Sequence, residues 1–228
     1  MLPSMTALAL LDDPEQARAY VYSLTHLLHE EQADGFEPES RVVLCGISWK
    51  TYLAFDKALG DDRPGPRFYY LDGELEIMTA SNEHERLKLA LTGLMDLYFD
   101  EVGMEVIMRG QATMRLVWEQ IGAEPDMSWC LHTEKEFPGI VLEIALTSSG
   151  VRKLELYRRF AVPEVWFWRK GRLEIHVLRT DGTGYDPAEN HRSRLLPGLN
   201  AGLLEHCTMI PSWQEARRAF RAGLAAGE

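Results

Sequence analysis

The run Ile140-Val141-Leu142-Glu143-Ile144-Ala145 carries a single carboxylate in an otherwise apolar stretch. Such a run reads as a central strand covered on both faces. A lone carboxylate there costs several kcal/mol unless it is paired or bound to a metal ion. Asp126 stands 17 positions earlier, directly after Pro125 and at the entrance of a second predicted strand. That spacing suits two neighbouring strands joined by a loop through Pro138-Gly139, and two carboxylates so placed can hold one hard divalent cation. Oxygen donors favour Mg2+ or Mn2+ over zinc. A structural salt bridge is the other explanation for Glu143, and a pair of strand acids is by itself an ordinary feature of folded chains.

Two more residues join the pair. Lys153 falls in the first turn of the helix predicted after Glu143, where the helix dipole mildly disfavours a cation. There it could orient or help deprotonate an attacking water, or neutralise charge developing on a phosphate. A solvent-facing lysine is the alternative. His84 begins a long predicted helix within Ser81-Asn82-Glu83-His84. A helix N-terminus can be aimed at an anionic site, and an imidazole can carry a proton; a capping or surface histidine reads equally well. Glu74 and Glu83 are further acids at this end and rank lower. Other constellations are empty. Cys130-x-His132 lacks the partner pair of a zinc site, no P-loop or G-x-G-x-x-G is present, and Ser148 and Ser149 lack a nucleophile-elbow context.

The elements that must position these groups follow from periodicity and breakers. Asp13-Pro14-Glu15 opens a helix whose apolar side runs through Tyr20, Val21, Leu24 and Leu28, with a stop at Ala33-Asp34-Gly35 and a linker over Phe36 to Arg41. Ser48 caps a helix to Leu59, and Gly60 to Pro66 is a breaker-rich loop. Asp72-Gly73 joins Phe68–Leu71 to Leu75–Met78 as a hairpin. A long helix spans His84 to Val102. Strands are predicted at 105–108, 113–117, 127–130 and 140–145. Thr147-Ser148-Ser149-Gly150 turns the chain into a helix at 151–160, strands return at 164–168 and 172–178, and Thr180 to Arg194 reads as polar loop. Trp166, Phe167 and Trp168 alternate across their strand and read as core. A final amphipathic helix starts at Pro211-Ser212-Trp213. The order is mixed α and β within one core. Three segments are expected: an acidic helical extension over 1–40, the main domain over 41–210, and a C-terminal helix over 211–228.

Bulk properties bound the reading. The chain has 228 residues, 46% hydrophobic and 26% charged, which suits one well-cored domain. No run of 18 apolar residues is present, so no membrane span is expected. The apolar start, Met1 to Leu11, carries no basic residue and makes a poor signal peptide. Three cysteines, far apart and odd in number, argue against a disulfide framework and fit a reducing cytoplasm. A net charge of −11 counts against a protein that coats nucleic acid non-specifically. The charge is uneven, however. Residues 1–40 hold eight acids and one base, and residues 150–172 hold seven bases and two acids. One basic face is therefore available on an acidic chain, with a solvated helix face and a hairpin turn as the plainer account.

From about residue 41 to 210 the pieces Ile47-Ser48-Trp49, Leu71-Asp72-Gly73-Glu74-Leu75-Glu76-Ile77-Met78, Glu83-His84-Glu85, Glu124-Pro125-Asp126 and Val141-Leu142-Glu143-Ile144 stand in order. Thr147-Ser148-Ser149, Lys153-x-x-x-Tyr157, Val162-Pro163-Glu164-Val165-Trp166 and Pro197-Gly198-Leu199 follow. In these the chain resembles the Uma-type restriction-endonuclease family, within the PD-(D/E)XK nuclease superfamily. The resemblance implies an α/β (mixed α+β) fold, a restriction-endonuclease-like core with a small mixed central sheet flanked by helices. It implies Asp126 and Glu143 as metal-binding acids for Mg2+ or Mn2+, Lys153 as the catalytic lysine, and DNA as the substrate. The superfamily lysine usually lies two positions after the acid on the same strand, which here is Ala145, so Lys153 stands for a lysine moved to the next helix. Family members often carry an acid just before the hairpin, where this chain has Tyr69 or a neighbour. The alternative to a nuclease is a catalytically inactive nucleic-acid-binding or protein-interaction module on the same scaffold. A homodimer suits cutting of two antiparallel strands.

Overall fold

In the computed structural model, residues 15, 16, 19–23, 26, 39–60, 66–146 and 151–227 are described. The expected helix start at Asp13-Pro14, the stop at Ala33-Asp34-Gly35, most of the linker from Phe36, the loop over 61–65 and the turn Thr147–Gly150 lie outside them. Of the expected N-terminal helix, residues 15, 16, 19–23 and 26 are helical. The class is the expected mixture of α and β, with its strands divided over two sheets. The chain forms two compact units. One comprises the described residues within Met1–Ser81, Ala112–Glu124 and Thr147–Leu156; the other comprises Asn82–Gln111, Pro125–Leu146 and the described residues from Tyr157.

The first unit is built on a five-stranded antiparallel sheet in the order β1-β3-β2-β6-β5. Its strands are β1 (Glu39–Cys45), β2 (Arg67–Leu71), β3 (Glu74–Ala80), β5 (Met114–Leu116) and β6 (Ile121–Ala123). The predicted Asp72-Gly73 hairpin joins β2 to β3. Both turn residues have positive φ, 50° and 84°, as the tight turn matched to strand twist requires. Helix α1 (Trp49–Leu59) starts where Ser48 accepts from the Thr51 amide. It buries Tyr52 and Phe55 against Phe68, Tyr70, Leu75 and Ile77, leaving Tyr69 and Glu76 on the other face of the sheet by strand alternation. Tyr52 stacks on both Trp49 and Tyr70, at 4.9 Å between ring centroids in each case. Gly122 lets that stack approach β6, because a Cβ there would come within 2.1 Å of the Tyr52 hydroxyl.

The second unit is built on a six-stranded sheet in the order β11-β10-β9-β8-β7-β4. Its strands are β4 (Val106–Met108), β7 (Met127–Leu131), β8 (Ile140–Ile144), β9 (Glu164–Arg169), β10 (Arg172–Leu178) and β11 (Tyr185–Pro187). Only β8 and β9 run parallel. Parallel neighbours need a crossover, and helix α3 (Lys153–Arg159) lies in that connection. One face of the sheet presents Trp129, Ile140, Leu142, Ile144, Trp166 and Trp168 to the core shared with helix α2 (Asn82–Glu101), helix α4 (Ala201–Thr208) and helix α5 (Trp213–Ala226). The opposite face carries Val141, Glu143, Val165 and Phe167.

Four elements were not expected. Strand β1 occupies the end of what reads as linker. Strand β6, helix α4, and strand β11 with the short 3-10 turn Glu189–His191 fall in stretches left without regular structure. Gly122 within Ile-Gly-Ala weakens the strand signal of β6. Helix α4 is only eight residues long and begins from the side-chain cap of Asn200, three residues after Pro197-Gly198.

Candidate active site

Strands β7 and β8 pair with Met127 opposite Leu142 and Trp129 opposite Ile140. Continued by one step, this register sets Asp126 opposite Glu143. Directly opposed residues of an antiparallel pair share a face, with Cβ atoms about 4.5–5.5 Å apart. By this register Asp126 and Glu143 share one face at that end of the ladder, and both are fully buried. Each is fixed by named donors. Asp126 accepts the backbone amide of Ile144 on one oxygen, and its other oxygen lies 2.8 Å from Nε2 of His84 in the first turn of α2. Glu143 accepts the hydroxyl of Tyr157 from α3. His84 and Tyr157 are also fully buried. In the second unit the structure thus brings together three of the four residues expected from sequence, and it adds Tyr157.

The fourth, Lys153, belongs to the first unit, with 7% of its surface exposed. Its ammonium sits 3.5 Å from the ring centroid of Tyr69 and 3.9 Å from a carboxylate oxygen of Glu76. Tyr69 and Glu76 are direct partners across β2 and β3, so the lysine is held above one cross-strand pair by a ring face and a negative charge together. Glu76 is fully buried. It also accepts the Val151 amide just before α3 and lies 3.7 Å from the guanidinium of Arg41. Tyr69 supplies the ring under the lysine.

Glu76, like Tyr157, is not singled out from the sequence. In Glu74-Leu75-Glu76-Ile77 an acid alternates with apolar residues, the usual pattern of a strand with one wet face. Only the cover over that face makes Glu76 interior. Glu83 and Arg86, by contrast, close a bidentate pair at the surface, with both bonds at 2.7 Å. The arginine holds the Glu83 carboxyl below the usual carboxylate range.

The donor set can be tested against a divalent ion. Asp126 and Glu143 supply hard carboxylate oxygens at adjacent positions, as Mg2+ and Mn2+ prefer, and Mg2+ sites commonly use one or two carboxylates and leave the remaining positions to water and phosphate. The donors behind the acids orient them as supporting shells do in metal sites. Among the described residues no group of three or more His, Cys, Asp and Glu side chains is arranged to hold a metal ion. The pair fits as a two-carboxylate site completed by solvent and substrate.

The basic stretch is largely matched by acids. Arg152 lies 3.3 Å from Asp72, Arg169 3.0 Å from Glu174, and Arg172 3.4 Å from Glu205. A cavity of about 640 Å3 on the second unit is lined by residues including Arg179, Asp186 and Arg194. It contains none of the groups above.

The mixed sheet of the second unit thus carries two buried carboxylates with a buried histidine beside one of them. The sequence profile of the Uma2 family, described as "Putative restriction endonuclease", matches residues 49–205, and the chain belongs to this family. Among solved structures it is similar to "a putative nuclease belonging to DUF820" from Anabaena variabilis, at 9% identity and a TM-score of 0.44, over 76% of this chain and 99% of that one. No curated protein matches it. Among the described residues no helix is long and apolar enough to cross a membrane.

Proposed function

We propose that this protein is a divalent-metal-dependent endonuclease that hydrolyses DNA phosphodiester bonds, with Asp126 and Glu143 as the acids that hold Mg2+ or Mn2+. The carrying observation is two fully buried carboxylates at one end of the β7–β8 pair, with Asp126 just before β7 holding the amide of Ile144, the neighbour of Glu143. When bound, the ion would supply Lewis acidity at the phosphate and lower the pKa of an attacking water. The chain's own groups divide the remaining work. His84 and the Ile144 amide fix the two oxygens of Asp126, and Tyr157 fixes Glu143. Lys153 keeps the role that the family resemblance implies, the cation that offsets charge developing on the phosphate. Glu76 and Tyr69 hold its ammonium in place. Two-fold pairing of chains would present one such site to each strand of a duplex.

The test is calorimetric titration of Mn2+ into the protein and into Asp126→Asn and Glu143→Gln variants, followed by cleavage of supercoiled plasmid. Binding and cleavage by the parent, both lost in the two variants with thermal unfolding still cooperative, are expected. Equal cleavage by parent and variants would sink the assignment. A second reading, a nuclease-type scaffold that binds without turnover, is favoured by one observation: both oxygens of Asp126 already accept a neighbour's hydrogen bond or contact. It predicts no Mn2+-dependent rise in Tm, whereas a site that binds only the folded chain raises it.

A further inference from the structure

Strand β4 is an end strand of the six-stranded sheet. It pairs with β7 on one side, Ile107 opposite Cys130. The bonds Arg109 N–H to Ser128 O and His132 N–H to Glu105 O fix the phase of the ladder. Residues 105, 107 and 109 direct their backbone groups toward β7. Val106 and Met108 therefore direct theirs outward, along an edge that no strand among the described residues pairs with. Ile107 is 37% exposed and Met108 50%. Natural edges are usually blunted by charge, proline or a bulge. The opposite edge strand, β11, ends in Pro187, whereas Val106-Ile107-Met108 has no such guard.

The sequence around this edge is complementary to itself. If two copies of β4 run antiparallel with Ile107 on the two-fold axis, Val106 of each faces Met108 of the other, and their outward amides and carbonyls match as hydrogen-bonded pairs. The same register sets Glu105 opposite Arg109 and Ile107 opposite Ile107, in the non-hydrogen-bonded positions where side chains come closest. Glu105 makes no side-chain hydrogen bond or ion pair among the described residues. Arg109 commits Nη1 to the carbonyls of Lys135 and Glu136 and makes no ion pair among the described residues. A shift of one residue would bring the backbone groups out of phase and oppose Ile107 to a non-identical partner.

We propose that two copies of this chain associate through β4, antiparallel and in two-fold register about Ile107, continuing the sheet of one unit into that of its partner. Extended-edge pairing gains affinity from main-chain bonds and specificity from the side chains set opposite. The occupant is a second copy because the charges and the hydrogen-bond phase of the strand complement themselves. One strand pair is smaller than a standard interface, so the dimer is reversible and concentration-dependent. This dimer stands independently of the hydrolytic chemistry.

Sedimentation velocity from low micromolar to several hundred micromolar tests it. The parent should move from the 26.0 kDa monomer toward twice that mass. Ile107→Lys, which sets two cations face to face on the axis, should remain monomeric with unchanged circular dichroism. Glu105→Arg should weaken association at least about tenfold, and Glu105→Arg combined with Arg109→Glu should restore it. This rescue separates charge pairing from loss of fold. A parent that stays monomeric throughout, or a dimer indifferent to both Ile107→Lys and the charge swap, would overturn the proposal.

Discussion

Asp126 and Glu143 reach their places by different routes. Glu143 is announced by its setting, because a carboxylate among Ile, Val and Leu has to be satisfied somehow. Asp126 is legible only through its interval from Glu143, and the register of β7 and β8 sets both on one face at the end of the ladder. Tyr157 carries a prediction of its own. Its hydroxyl donates to the Glu143 carboxylate, so under the proposed function Tyr157→Phe should weaken Mn2+ binding roughly 10-fold to 100-fold, the usual cost of an outer partner, with the fold retained. Calorimetric titration measures this, and unchanged affinity would make the tyrosine a packing residue only. A second prediction concerns His176, whose ring meets Phe167 edge-on at 5.6 Å between centroids. Burial pulls its pKa below the ordinary imidazole value, and Glu174 opposes this only in part. The unfolded chain therefore binds the proton more readily than the folded one. The neutral ring's contribution is present above the ordinary histidine pKa and is lost as pH falls through it toward the lower folded value. His176→Gln should flatten the acid side of the Tm-against-pH curve relative to the parent; parallel curves would refute the account.

At the scale of elements, alternation and capping were readable wherever an element had strong local signals. The Ser48 cap, the Asp72-Gly73 hairpin and the single-acid strand β8 all stand where the sequence puts them. What was not readable depends on partners distant in the chain. Strand β1 is a strand because β3 pairs with it over its whole length, and Glu76 is interior because its face of the sheet is covered. The loop over Ser193–Leu195 is another case. The Arg194 and Leu195 amides, the Ser193 hydroxyl and the Trp166 indole N–H all donate to the Glu164 carboxylate at the head of β9. Glu164 stands in the sequence only as one residue of the Val162-Pro163-Glu164-Val165-Trp166 stretch, and nothing local marks it as the acceptor for a loop some 30 residues on. Glu164→Ala strands these donors at about 1–3 kcal/mol for each one left buried, so a loss of more than about 3 kcal/mol is expected in urea unfolding. Gly122→Ala tests the first sheet in the same way. A methyl within 2.1 Å of the Tyr52 hydroxyl should cost about 1–3 kcal/mol by overpacking.

At the scale of the whole molecule the charge bears on the proposed DNA substrate. The chain carries −11, and three arginines of its basic stretch already face an acid. Few cations remain for phosphates, so affinity has to come from a small number of contacts. With about three phosphate contacts, binding measured by fluorescence anisotropy in Ca2+ should weaken only some tens of fold between 50 and 200 mM salt, against the 10^3–10^5 of proteins that make six or more. A steeper fall would mean that the paired arginines release their acids on binding.

The Glu164 clasp has a consequence for proton exchange. The Arg194 and Leu195 amides both bind one buried carboxylate at the head of β9, so these loop amides should exchange with solvent as slowly as those of the strand they are tied to.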